Sequence, residues 1–202
     1  MITLWGRLNS HNVKKVAWLL EYTGIAHVRH DIGGKFGYTD AYLAINPNRL
    51  VPAIEDGDFS LYESNAILRY LAARYAPALW PDDLQARASA DRWMDWQFSF
   101  ADAQRDAFFQ NVRLTPDQRD PAAIARSAER AGKQMQILDA ALARSPWLSG
   151  ASFGIADIPM GTYAHTFFSL PIERPDVPHV AAWYARLQDL PGYRSNVMIP
   201  LT

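Results

Sequence analysis

The 202-residue chain contains no cysteine. A disulfide framework, a thiolate zinc site and a thiol nucleophile of the protein's own are therefore excluded. Any sulfur chemistry must use a sulfur that arrives on a ligand. The opening Met1-Ile2-Thr3-Leu4-Trp5-Gly6-Arg7 lacks a basic stretch followed by an apolar one, so no secretory signal is visible. No apolar run reaches the roughly 18 residues a membrane span needs, and no membrane partner is expected. Charge of one sign is missing too. Twenty Lys+Arg face 21 Asp+Glu, a formal net charge of −1, and no basic field argues for nucleic acid. These absences make the cytoplasm the default location. What remains is ordinary globular material, 49% hydrophobic and 20% charged, enough for one domain or two small ones.

The hydrophobic period changes along the chain. Ile2 and Leu4 alternate with Thr3 and Trp5, a short strand. Val13, Val16, Ala17 and Leu20 fall at i, i+3, i+4 and i+7, one face of a helix that ends before Gly24. Ala26, Val28, His30 and Ile32 alternate again, which completes a βαβ opening. Gly33-Gly34-Lys35-Phe36-Gly37 reads as a loop, and a short helix fits 40–45. Two short runs, Val51 to Ile54 and Phe59 to Tyr62, flank Asp56-Gly57-Asp58 and predict a β-hairpin. Pro52 cannot donate in a central ladder, so it belongs at a strand start, where the cis form is an option. A helix follows from Ser64, with Ile67, Leu68, Leu71, Ala72 and Tyr75 inward.

The order βαβ-α-ββ-α is that of a thioredoxin-like sheet. Past a linker at 78–84 the strand period disappears, and helices fit 85–111, 121–143, 155–168 and 177–189. The reading is an α/β thioredoxin-like N-terminal domain over 1–77 and an all-α helical-bundle C-terminal domain over 85–202. Trp93, Trp96, Phe98, Phe100, Phe108 and Phe109 are assigned mostly to the helical core.

A thioredoxin-like sheet invites a search for Cys-x-x-Cys after its first strand. This chain has Leu8-Asn9-Ser10-His11-Asn12 there, so a dithiol oxidoreductase is excluded. Ser10 and Asn12 stand at a helix N-terminus, where unpaired N–H groups and the macrodipole favour an anion. A hydroxyl and an amide at that place can donate to a ligand thiolate. They are equally favoured N-caps, and the segment taken alone leans toward capping. Glu63-Ser64-Asn65 opens another helix with the same ambiguity. Ser64 and the helix N–H groups suit a carboxylate while Glu63 accepts from an ammonium, or Ser64 is only a cap and Glu63 a dipole-complementing acid. His27 and His30 lie three apart on a strand, on opposite faces. His11, His165 and His179 show no ligand spacing, and no metal site is read.

Together these segments are more specific than any one of them. Leu4-Trp5-Gly6-Arg7-Leu8-Asn9-Ser10-His11-Asn12-Val13-Lys14-Lys15-Val16 resembles the opening of bacterial theta/nu-like cytosolic glutathione S-transferases. Asn46-Pro47-Asn48-Arg49-Leu50-Val51-Pro52-Ala53-Ile54 is similar to that family's cis-proline segment, and Glu63-Ser64-Asn65-Ala66-Ile67-Leu68-Arg69-Tyr70-Leu71 to its γ-glutamyl clamp. Gly154-Ile155-Ala156-Asp157-Ile158-Pro159 resembles the capping motif of its helical domain. The family usually has Ser or Thr where this chain has Gly154, and commonly glycine where it has Arg49.

The resemblance implies a homodimeric transferase that activates glutathione as thiolate for a small electrophile in a pocket between the domains. Glutathione is then a co-substrate and no cofactor is needed. Ser10 and Asn12 would face the sulfur, and Val51, before cis-Pro52, would pair its backbone with the cysteinyl part. Glu63 and Ser64 would bind the γ-glutamyl end. From the Gly33 to Asp40 loop itself, Lys35 is the nearest candidate to neutralise the glycyl carboxylate, the alternative being a solvated lysine. A glutathione-dependent disulfide reductase on the same site and a non-catalytic ligand-binding protein of the same fold are the alternatives. The energetics suffice without a catalytic base. Lowering a thiol from about 8.5 by two units needs roughly 2.7 kcal/mol. A helix terminus gives about 0.3–1 kcal/mol and a charge-assisted hydrogen bond roughly 1.5–3.

Overall fold

The alternation at the start of the chain becomes β1 (Ile2–Trp5), with Ile2 and Leu4 buried and Thr3 and Trp5 half-buried. The structure is a computed structural model that describes residues 1–202. After β1 come α1 (His11–Thr23), β2 (His27–His30), α2 (Asp40–Ile45), β3 (Ala53–Asp56), β4 (Phe59–Tyr62) and α3 (Ser64–Tyr75). The strands form one sheet in the order β2-β1-β3-β4. β2 runs parallel to β1, β3 runs antiparallel to β1, and β4 is antiparallel to β3. This is the thioredoxin-like arrangement expected from the sequence. The ladder of β3 begins at Ala53, so Pro52 stands just outside it, in a cis peptide bond with Val51.

Two local expectations change. β2 is an edge strand, and of its alternating set Ala26 and His30 are exposed, Val28 is half-buried and only Ile32 is buried. Helix α1 was expected to bury one stripe. It buries every residue from Val13 to Leu20, Lys14 and Lys15 included. The cause is cover from two directions, by α3 and by the short helix α8 (Tyr193–Asn196).

That second cover redraws the domains. The chain divides into one compact unit of Met1–Asp82 with Leu190–Ile199 and another of Asp83–Asp189 with Pro200–Thr202. The sequence reading gave everything from 85 onward to the helical domain, whereas residues 190–199 pack on α1. Trp18 Nε1 donates to the Pro191 carbonyl at 3.2 Å, and its ring meets Tyr193 edge-on at 4.8 Å. Lys14 Nζ donates to the Val197 carbonyl at 3.0 Å. No period in 190–199 announces these bonds, because they are made by carbonyls.

The other unit contains α4 (Leu84–Arg113), α5 (Pro121–Leu142), α6 (Asp157–Ser169) and α7 (Pro178–Gln188). Asp83 caps α4 by accepting from the Ala86 N–H, and Asp120 caps α5 by accepting from those of Ala122 and Ala123. The buried stripe of α4 includes Trp93, Gln97, Phe100, Gln104 and Ala107. Trp96 and Phe108 flank it half-buried, while Phe98 and Phe109 are 51% exposed. Only two of the six aromatics assigned to the core are therefore in it. At α6 the Asp157 carboxylate accepts from the N–H groups of Gly154, Leu148 and Ser149. Gly154 has no hydroxyl to offer the helix, and Ser149 Oγ instead accepts from the Ala156 N–H at 3.1 Å. No helix is long and apolar enough to cross a membrane.

Candidate active site

Two helix N-termini meet on the sheet unit. Ser10 precedes α1 with extended backbone (φ −81, ψ 127), its carbonyl accepts from Lys14 N–H at 2.9 Å, and its side chain makes no cap hydrogen bond. Asn12 is one residue into α1 and half-buried. From α3, Ser64 Oγ donates to Asn12 Oδ1 at 3.3 Å. The first-turn N–H groups of both helices lack intrahelical acceptors, so their positive ends reinforce one another at this place.

Glu63 occupies the position before α3 with φ 72, a left-handed value that costs a non-glycine residue about 1 kcal/mol or more. Its side chain makes no cap bond and is exposed. The plain capping reading therefore fails for the side chain of Ser10, and Ser64, already inside α3, is not its cap residue, while Glu63 keeps the place of an acid at a helix start. Val51 is half-buried against the cluster of Ile32, Tyr42 and Ala53, with its peptide outside the sheet ladder that starts at Ala53. Arg49 explains its own oddity. Its φ is 56, held there while Asn46 Nδ2 donates to the Leu50 carbonyl at 3.0 Å and Asn46 Oδ1 accepts from Asn48 N–H at 3.1 Å. A position of that kind favours glycine.

Lys35 lies on a single 3₁₀ turn, Gly34–Phe36, with its ammonium 5.1 Å from the Phe36 ring centre. It touches none of the other expected site residues. Arg7 links that turn to the site. The Arg7 carbonyl accepts from Ser10 N–H at 3.2 Å, and its side chain lies over Gly34, where a Cβ would come 2.6 Å from Arg7 Nε. Gly34 has φ 59, so a side chain there would be strained and would also displace the Arg7 guanidinium.

The sequence reading gave no role to Lys15. This side chain is 0% exposed, and its Nζ stands 3.3 Å from Ser64 Oγ and 3.3 Å from Asn65 Oδ1. Burial lowers its pKa to about 7, against the pull of the Glu63 carboxylate, which raises it. Burial lowers Lys14 to about 8. The available signal was spacing, since Asn12 and Lys15 are i and i+3 on one helix face.

These two lysines make stability depend on pH. The unfolded chain binds their protons up to about 10.5, the folded chain only below about 8 and about 7. Across that window the unfolded state holds more protons, so stability rises with pH, by at most about 1.4 kcal/mol per unit for each lysine. Urea unfolding is expected to show a higher midpoint near pH 9 than near pH 7. Lys15→Met should flatten the rise. An unchanged slope in that variant would refute the assignment.

A separate cavity of about 660 Å³ belongs wholly to the helical unit, lined among others by Ile124, Lys133, Ile172 and Arg174. None of the expected site residues lines it.

Known proteins match the chain over its whole length. The glutathione S-transferase N-terminal domain matches residues 4–79, and the glutathione S-transferase C-terminal domain matches residues 121–186. Glutathione S-transferase GstB of Escherichia coli K12 is 42% identical over 208 aligned residues that cover 100% of both chains. Glutathione S-transferase 3 of Zea mays is 30% identical, covering 99% of this chain and 95% of its own. The crystal structure of the theta class glutathione S-transferase of Xanthomonas axonopodis pv. citri, with glutathione bound, superposes with a TM-score of 0.95 at 50% identity, over 100% of this chain and 99% of that one. With both domains matched in order and relatives aligned from end to end, the chain belongs to the glutathione S-transferase family.

Proposed function

We propose that this glutathione S-transferase binds glutathione across the joined starts of α1 and α3 and delivers it as thiolate to a small electrophile. Ser10 and Asn12 donate to the sulfur. Val51 offers the cysteinyl part a peptide edge, in the manner of an added strand. The N–H groups at the start of α3, that of Ser64 among them, hold the γ-glutamyl carboxylate, Glu63 accepts from its ammonium, and Lys35 faces the glycyl carboxylate. The observation that carries this reading is the Ser64–Asn12 hydrogen bond of 3.3 Å, which brings two anion-favouring helix ends together. The uncommitted side chains of Ser10 and Glu63 support it, since neither is spent on a cap. The same reading includes a homodimer, cytoplasmic residence and a part in detoxification.

The electrostatics assign a specific kinetic signature. Ser10→Ala and Asn12→Ala each remove a bond that favours thiolate over thiol. Each is expected to lower kcat about tenfold and to raise the pH–rate midpoint by roughly one unit, with glutathione KM within a few fold. Turnover of a haloaromatic, a haloacid and a disulfide by one preparation separates transfer from disulfide reduction. If neither variant moves the midpoint, the side chains do not hold the thiolate and the assignment of both residues fails.

A further inference from the structure

Lys15 is an ionisable group placed where the site needs none for contact. It lies beneath both helix starts, is fully buried, and reaches no surface a ligand could touch. Its neighbours nevertheless form an ordered chain. Nζ is 3.3 Å from Ser64 Oγ, and Ser64 Oγ is 3.3 Å from Asn12 Oδ1. In its protonated form Lys15 only donates, so the Ser64 oxygen then accepts from it. The single Ser64 proton is then left to donate, and the atom it meets on Asn12 is a carbonyl oxygen, which only accepts. The ammonium sets the first bond, and the Asn12 oxygen facing Ser64 sets the second.

Resting on the proposed glutathione site, we infer that Lys15 is a positioning residue for the thiol. Acting through Ser64, it turns the Asn12 carbonyl inward and so presents the Asn12 NH₂ to the sulfur. A flipped Asn12 amide would place its NH₂ on the second lone pair of the Ser64 oxygen and would leave the Ser64 proton without the Asn12 acceptor. Glu63 supports the arrangement from outside, because its carboxylate opposes the loss of the Lys15 proton that burial favours. The same chain couples the two ends of the co-substrate. Ser64 belongs to the start of α3, which receives the γ-glutamyl group, and Asn12 to the start of α1, which receives the sulfur.

The test follows the ionisation of the bound glutathione thiol by the ultraviolet absorbance of the thiolate, a readout that a purely structural lysine would not move. Asn12→Ala should raise the midpoint by about one pH unit, and Lys15→Met and Ser64→Ala by about half a unit or more, in proteins with native circular dichroism. Ser64→Ala added to Asn12→Ala should shift it no further, since the relay then has no end to orient. This cycle decides the matter even if Lys15→Met fails to fold. A shift in Asn12→Ala with none in Ser64→Ala, or additive shifts in the double variant, would overturn the role of Lys15 and leave the proposed site intact. No shift in Asn12→Ala would overturn the role of Lys15 together with the assignment of Asn12 to the sulfur, and would leave Ser10 as the donor to be tested.

Discussion

Asp157→Ala is expected to cost the helical unit about 3–5 kcal/mol, the largest stability loss of any single substitution considered for this protein. The carboxylate is 0% exposed and accepts from four N–H groups. They belong to Leu148 at 2.8 Å, Ser149 at 3.3 Å, Gly154 at 3.1 Å and the Trp183 indole at 2.9 Å. Alanine leaves all four donors buried without their acceptor, and each orphan costs about 1–3 kcal/mol before the structure relaxes. The position also ties three pieces of chain together, the 148–154 turn, the start of α6 and α7 through Trp183. Asp157→Asn keeps the volume but turns an NH₂ toward donors, so it should recover less than half of the loss. Guanidinium unfolding at neutral pH measures both. A loss below about 1 kcal/mol for Asp157→Ala would mean that water or a rearranged turn replaces the carboxylate.

Glu63→Ala is expected to raise the KM for glutathione about 30-fold, the equivalent of roughly 2 kcal/mol for a charge-assisted hydrogen bond. The φ of 72 makes a separate control available. Glutamate and alanine are both strained there, whereas glycine is not. Glu63→Gly should therefore fold as well as the parent or gain up to about 1 kcal/mol while losing the same glutathione affinity. Stability and binding then move in opposite directions, which a damaged fold cannot produce. Unchanged KM in both variants would reduce Glu63 to an exposed acid near a helix start.

Much of this was readable from the sequence, for reasons that differ by element. The βαβ opening and the hairpin carry their own signals, in Ile2 and Leu4, in the Val13-Val16-Ala17-Leu20 stripe and in Asp56-Gly57. Ser10, Asn12, Glu63 and Ser64 were legible as helix starts because N-terminal residues have a strong composition. That Ser64 reaches Asn12 was not legible, because it depends on how α1 and α3 pack. Lys15 escaped for a related reason. A lysine within an amphipathic pattern reads as solvent-facing, and the packing of α3, whose Ser64 and Asn65 meet its ammonium, shows it buried. Phe98 and Phe109 erred the other way, since hydrophobicity alone does not say which stripe of a long helix turns inward.

The packing of residues 190–199 on α1 also sets an order of events during synthesis. The bond between Lys14 and the Val197 carbonyl joins positions 183 residues apart. When α1 leaves the ribosome, the segment that will cover Lys14 and Trp18 does not yet exist, and the whole helical unit must be translated before it does. The half of the protein made first is thus completed by residues made after the other half. Loss of the chain beyond Asp189, by nonsense mutation or proteolytic clipping, would spare every helix of the second unit and strip the cover from the helix that carries Asn12 and Lys15.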